Sequence, residues 1–149
     1  MSVQDALIVL AIRLMGGDIR RNPSARRHII ALARATPLFL MEDYRQTQGR
    51  VDHFINWAGT TIMDDLFAHA LDQLRGPYRL EALEWSAINA VIQQPSDEKT
   101  AIVHHIGEAL GFSALEVKEC VAQVQRRPAR DASGDDGAPS SNRNARKGD

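Results

Sequence analysis

Three polar residues that could bind a divalent cation share one predicted helix. Asp65, His69 and Asp72 lie at positions i, i+4 and i+7, so a helix would present all three on one face. Two carboxylates and an imidazole are suitable ligands for zinc or another divalent ion. The same pattern is also typical of a solvated outer face, because Leu66 and Phe67 already mark the buried side of that helix. A metal site is therefore an alternative interpretation, with cation sensing or detoxification as its function.

The remaining reactive side chains do not form a catalytic pattern. His104 and His105 are adjacent, and neighbouring helical residues point about 100° apart, so they do not chelate together. We expect one at the edge of the core and the other facing water. Cys120 lies on an apolar stripe, which predicts an inert core thiol with no base assigned to it. No phosphate loop, dinucleotide fingerprint or serine elbow is present. We predict a protein that is not an enzyme and needs no cofactor.

Charge is divided unevenly along the chain. Residues 1–50 hold eight bases and four acids, a net of +4, whereas residues 51–127 hold six bases and eleven acids, a net of −5. A cluster of arginines surrounds the predicted second helix: Arg20, Arg21, Arg26, Arg27 and Arg34. Such a patch could dock an acidic protein, an anionic lipid surface or a phosphate backbone. It could equally pair with the acidic half, within the monomer or across a dimer.

The overall composition limits these possibilities. The 149 residues carry 18 Lys and Arg against 19 Asp and Glu, a formal charge of −1, which argues against a dedicated nucleic-acid binder. No apolar run approaches the roughly 20 residues that a transmembrane helix needs. The apolar stretch from Ala6 to Leu14 has no basic residue ahead of it, unlike a secretion signal. With a single unpaired cysteine, these features predict a cytoplasmic protein. The helical signals, beside a lack of convergent catalytic groups, favour a protein that binds a protein partner.

Residues 1–127 carry the signals of helices throughout, without the alternation that strands require. The first helix is apolar on nearly every side and ends at Gly16-Gly17, so it should lie at the centre of the fold. Helix starts are marked by Asn22-Pro23, Thr36-Pro37, Ser96 and the Ser113–Glu116 capping box, and Gly111 marks a helix end.

Four apolar stripes at helical spacing accompany these signals. We expect Trp57 and Trp85 to be core residues. The stripes are Val51, Phe54, Ile55, Ala58 and Ile62; Leu66, Phe67, Ala70, Leu71 and Leu74; Leu80, Leu83, Ala87, Ala90 and Val91; and Val117, Cys120, Val121 and Val124. The prediction is an all-α protein, a single compact bundle of six or seven short helices.

The C-terminal segment differs in composition. Residues 128–149 contain no large apolar side chain and no cysteine, and their four acids balance their four bases. Such a segment cannot offset the entropy of ordering by burying surface. We predict a domain over residues 1–127 and a disordered, solubilising tail over residues 128–149.

The stretch from Ala82 to Val121 resembles the second half of a TerB-like domain, a family that includes tellurite-resistance TerB proteins and domains of DnaJ-type co-chaperones. The resemblance lies in a helix, a turn before Ser96-Asp97-Glu98-Lys99, a second helix, and the stop at Ala109-Leu110-Gly111-Phe112-Ser113. Residues 6–37 resemble the same unit, so the match covers roughly residues 5–125. It implies a helical interaction module, linked to stress response or membrane-associated assemblies.

Two turns depart from the family pattern, which usually has an Asp-Gly pair followed by Glu. This chain has Gly17-Asp18 in the first turn and Gln93-Gln94-Pro95 in the second. Arginines follow the first turn where the family has an acid. If those turns hold a cation in the family, this chain has lost that capacity, whereas the fold implied by the resemblance is unaffected.

Overall fold

The structure is a computed structural model that describes residues 1–91 and 95–136, with side chains described up to residue 127. Those ranges contain no strand, and their seven α-helices confirm the all-α bundle. The helices are α1 (Val3–Met15), α2 (Pro23–Arg34), α3 (Tyr44–Ile55), α4 (Thr61–Leu74), α5 (Arg79–Val91), α6 (Asp97–Ala109) and α7 (Ala114–Asp136). Short 3-10 helices cover Gly17–Arg21 and Pro37–Phe39.

Helix α1 forms the centre of the bundle, as its sequence predicts. Its residues from Ala6 to Ile12 are all buried, and it contacts α2, α3, α4, α5 and α6. A capping box between Ser2 and Asp5 starts the helix, and Gly16, with φ of 80°, follows its last residue. The indole Nε1 of the buried Trp85 donates a 2.6 Å hydrogen bond to the Leu7 carbonyl, so α1 and α5 are joined in the core.

Local capping explains where most helices begin. The Asn22 side chain accepts from the Ala25 amide at 3.1 Å, and the Ser96 hydroxyl accepts from the Lys99 amide at 3.1 Å. Ser113 and Glu116 form the expected reciprocal capping box ahead of α7. At Thr36-Pro37 the predicted start is a short 3-10 helix from Pro37, and the Thr36 hydroxyl does not cap it but donates to the Leu32 carbonyl at 2.7 Å. Helix α2 nevertheless ends before Pro37, as predicted.

The end of α6 brings two helices into close contact. Gly111 has a φ of 91°, and two hydrogen bonds close the end of α6 around it. The Gly111 amide donates to the Glu108 carbonyl at 3.0 Å, and the Phe112 amide donates to the Gly107 carbonyl at 2.8 Å. This double closure turns the chain directly into α7. A Cβ atom at Gly107 would overlap the side chain of Val117, so α6 and α7 pack together only because residue 107 has no side chain.

Two details of the predicted stripes were wrong. The stripe from Val51 to Ile62 does not lie on one helix, because α3 ends at Ile55 and the Thr60 side chain caps α4. Ile62 therefore begins another helix and is exposed. Leu80 is 53% exposed in the first turn of α5, where it borders a groove between α5 and α7.

Two sequence predictions fall on parts of the chain outside the description. The backbone of α7 extends to Asp136, past the predicted boundary at residue 127. The side chains of residues 128–136, and residues 137–149 altogether, lie outside the described residues, and so does the greater part of the predicted tail. Residues 92–94, which include most of the second turn of the resemblance, also lie outside them.

Candidate functional site

Three of the five arginines around α2 make contacts within the molecule. Arg26 forms a two-point ion pair with Asp52 of α3, at 2.7 and 2.9 Å, and this interaction raises the pKa of Arg26. Arg20 donates to the carbonyl of Ala58 at 2.8 Å. Arg34 donates to the carbonyl of Glu42 at 2.5 Å. These three arginines therefore position the chain around α2 as well as contributing charge.

The other two arginines of the cluster are exposed. Arg21 ends the first 3-10 helix and Arg27 lies on α2. Within the part of the chain that the structure describes, neither forms an ion pair, and the same holds for Arg45 on α3. These guanidinium groups can bind an external partner without breaking an internal ion pair.

Exposed apolar side chains lie next to this positive charge. Leu40 is 73% exposed and Met41 96% exposed, and Tyr44 at the start of α3 is also exposed. Arg27 and Arg34 are seven residues apart on α2, so they share a side of that helix. Because Arg34 binds the Glu42 carbonyl, that side adjoins the exposed segment. Here the "basic–apolar surface" means Arg27, Leu40, Met41, Tyr44 and Arg45.

Buried anchors hold the exposed segment in place. Phe39, immediately before it, is buried and stacks on Trp85 with ring centroids 5.8 Å apart. On the other side, Glu42 bonds Arg50 and accepts from the Thr47 hydroxyl at 3.0 Å. Leu40 and Met41 are therefore exposed at fixed positions in the fold.

Arg50 joins α3 to the start of α1. Its guanidinium bonds both Asp5 and Glu42, and it donates to the Ser2 hydroxyl at 3.3 Å. Partial burial lowers the pKa of Arg50, but the hydrogen bonds to Glu42 and Asp5 outweigh this effect, and its pKa is raised. Arg50 is charged and paired, so its role is to hold these elements together.

The proposed metal ligands lie on the outer face of α4. Asp65, His69 and Asp72 are all exposed, and Asp72 pairs with Arg75 at 3.0 Å. Over the described residues, no group of three or more His, Cys, Asp or Glu side chains is arranged to hold a metal ion.

The histidine pair has the surroundings that the sequence suggested, whereas Cys120 lies at the edge of the core and lines the groove between α5 and α7. His104 is half-buried and His105 is exposed, with its ring 5.9 Å from that of Phe67. Cys120 is half-buried, and burial together with the negative charge of Glu84 raises the pKa of its thiol. A raised pKa keeps the sulfur protonated and unreactive at neutral pH.

A cleft of about 650 Å³ lies between α1, α4 and α6. It is bordered by Arg13, Asp64, Glu98 and His105. Arg13 pairs with Asp64 at 2.8 Å and its guanidinium lies 5.2 Å from the centre of the Phe67 ring. The described lining residues of the cleft include no serine, cysteine or lysine that could act as a nucleophile, and the one arginine among them is paired with Asp64.

The arginine cluster was predicted from the sequence, but the exposed apolar residues Leu40, Met41 and Tyr44 beside it were not. A signal was present, since Leu38, Phe39, Leu40 and Met41 form a short apolar run between Pro37 and an acidic pair. A run of this length cannot bury every member when it makes only one turn of 3-10 helix. In the structure Phe39 is the member that is fully buried.

Comparison with protein families, with curated proteins and with solved structures finds no significant match to this chain. In the described ranges, no helix combines the length and the apolar character that crossing a membrane requires.

Proposed function

We propose that this chain is a non-enzymatic helical interaction module, which binds an acidic protein partner through its basic–apolar surface. The observation that carries the proposal is the exposure of Leu40 and Met41 at 73% and 96%. They lie beside arginines that form no ion pair with any described residue of the chain. Contiguous exposed apolar groups commonly mark binding sites. The adjoining guanidinium groups favour a partner segment that carries carboxylates.

The chemistry of the remaining side chains supports a module of this kind. The Cys120 thiol has a raised pKa, and the groups that border the cleft between α1, α4 and α6 include an ion pair between Arg13 and Asp64. The resemblance to TerB-like domains is the support for placing the module in stress response or in membrane-associated assemblies. The single unpaired cysteine and the lack of a basic residue ahead of Ala6–Leu14 are the support for a cytoplasmic location. Those assignments are part of the proposal.

Site-specific photo-crosslinking in cells tests the proposed surface. A photoreactive residue at position 41 should capture a partner segment that contains Asp or Glu close to apolar residues. The matched control is the same group at position 65, which is exposed on α4. Arg27→Glu combined with Arg45→Glu should reduce capture at position 41 at least tenfold. Equal capture at both positions, or capture that the double reversal leaves unchanged, would contradict the proposal.

The divalent-cation hypothesis for Asp65, His69 and Asp72 has a separate test. A ligand that binds the native state raises stability as its concentration increases. After chelation, thermal denaturation with Ca²⁺, Zn²⁺ or Mn²⁺ should leave the midpoint unchanged if the chain is solely an interaction module. A rise that His69→Ala abolishes would support a metal-binding function instead.

A further inference from the structure

Exposed apolar side chains are concentrated on two surfaces of opposite charge. Eight large apolar side chains are exposed in the described part of the chain. Three of them, Leu40, Met41 and Tyr44, belong to the basic–apolar surface. Leu80 lines the groove between α5 and α7. Leu115 lies on α7 one helical turn before Glu119, which also lines that groove. These two surfaces therefore carry five of the eight large apolar side chains that are exposed in the described part of the chain.

The groove between α5 and α7 is acidic and apolar. It has a volume of about 260 Å³, and its described lining residues include Leu80, Phe112, Glu84, Glu116 and Glu119 and no lysine or arginine. Here "acidic–apolar groove" means these five residues together with Leu115. Glu84 pairs with Arg127 at 3.6 Å, and Arg79 lies 4.8 Å from the centre of the Phe112 ring. Glu119 is exposed and makes no ion pair in the described ranges.

The two surfaces complement each other in charge and in apolar content. The basic–apolar surface offers Arg27 and Arg45 around three exposed apolar side chains, and the groove offers glutamates around two exposed leucines. Within one molecule they lie on different helix pairs, α2–α3 and α5–α7, and α1 contacts α2, α3 and α5. The formal charge of −1 gives copies of the chain little net repulsion.

We infer that the acidic partner of the basic–apolar surface is a second copy of this chain, which binds through its acidic–apolar groove. The inference depends on the proposed function, because it names the partner of that same surface. A contact between two different surfaces leaves one of each free on the resulting dimer. Such head-to-tail contacts build rings or open filaments rather than closed two-fold dimers. With few apolar side chains on each face, the contact should be weak and sensitive to salt.

Mixing two complementary variants of the full chain tests the head-to-tail contact. The surface variant carries Met41→Glu and Arg45→Glu, and the groove variant carries Leu115→Lys and Glu119→Lys. All four residues are exposed, so circular dichroism should show the wild-type helical content. Sedimentation velocity over a range of concentrations should show wild-type assembly beyond a dimer and each variant alone as a monomer. An equimolar mixture should form 1:1 dimers and nothing larger, because each variant keeps one intact face.

A control variant and three results determine the outcome. Ile62→Lys with Asp65→Lys changes an exposed apolar residue and an exposed acid on α4, and it should assemble as wild type does. A monomeric wild type at every concentration, a mixture that stays monomeric, or loss of assembly in the control would each overturn the inference. If the wild type is monomeric while position 41 captures a different acidic protein, the inference fails and the proposed function stands.

Discussion

Arg50 and Arg27 are the same residue type in the same positive half of the chain, yet their surroundings differ completely. Arg50 bonds Asp5 and Glu42 and lies partly buried between α1 and α3. Arg27 lies exposed on α2 and, over the described ranges, forms no ion pair. The excess of positive charge in residues 1–50 therefore has two parts. One part fixes the fold, and the other is available to a partner.

The difference shows why a charge cluster cannot be treated as one site. Arg20, Arg26 and Arg34 are near Arg27 in sequence, but each binds an oxygen of its own chain. Reversing the charge of such a residue would disturb the structure and any partner contact together. Only exposed arginines without an internal contact can report on binding alone.

The largest expected effect of a substitution among these arginines is at Arg50. Replacing Arg50 with Met removes the cation between two carboxylates, of which the Glu42 side chain is only 10% exposed. Loss of one partner from a buried pair costs about 3–5 kcal/mol, and an exposed pair contributes about 0–1 kcal/mol. For this half-buried cluster we expect the free energy of unfolding to fall by about 2 kcal/mol in urea denaturation. The free energy of unfolding of Arg50→Lys should lie between those of Arg50→Met and wild type. If Arg50→Met lowers the free energy of unfolding by less than about 0.5 kcal/mol, the cluster does not stabilise the fold.

An intermediate effect is expected at Arg20. Arg20→Met removes a charge-assisted hydrogen bond to the Ala58 carbonyl, a type that contributes about 1.5–3 kcal/mol. Because Arg20 is exposed, we expect the free energy of unfolding to fall by a smaller amount, about 1 kcal/mol. The adjacent Arg21 is exposed and forms no hydrogen bond or ion pair with the described residues. Arg21→Met should therefore change the free energy of unfolding by less than about 0.5 kcal/mol. Urea denaturation of the two variants side by side measures the contrast. Equal losses would mean that both arginines act on the fold in the same way.

The smallest effect on stability is expected at Arg27. Arg27→Glu should leave the unfolding free energy within about 0.5 kcal/mol of wild type, because the side chain is exposed. The same variant should weaken concentration-dependent assembly in sedimentation, and adding salt should reduce the difference between variant and wild type. A clear loss of stability without a change in assembly would assign Arg27 to the structural group.

Features that depend on neighbours in sequence could be predicted. The caps at Asn22, Ser96 and Ser113 were correct because each involves an amide three residues away. The central position of α1 followed from its apolar composition on all sides. Gly111 was correct for the same local reason, since its positive φ ends α6 within two residues.

Features that depend on distant parts of the chain could not be predicted. Arg26 pairs with Asp52, which is 26 residues away, and Arg50 pairs with Asp5, which is 45 residues away. No local spacing in the sequence identifies either pair. Ile62 and Leu80 were expected in the core because their spacing matched a stripe. Whether a stripe residue is covered depends on where the neighbouring helix begins. The exposure of Leu40 and Met41 was missed because it follows from which member of an apolar run is buried against Trp85.

The meeting of α6 and α7 at Gly107 restricts which sequences can adopt this fold. At that position the space is filled by Val117, so a hydrogen atom is the largest substituent that fits without separating the two helices. An alanine at position 107 fits only if the side chain at position 117 is smaller than valine, as in the double variant Gly107→Ala with Val117→Ala. Divergent relatives of this chain should therefore change these two positions jointly, and that pairing could identify them where overall similarity has been lost.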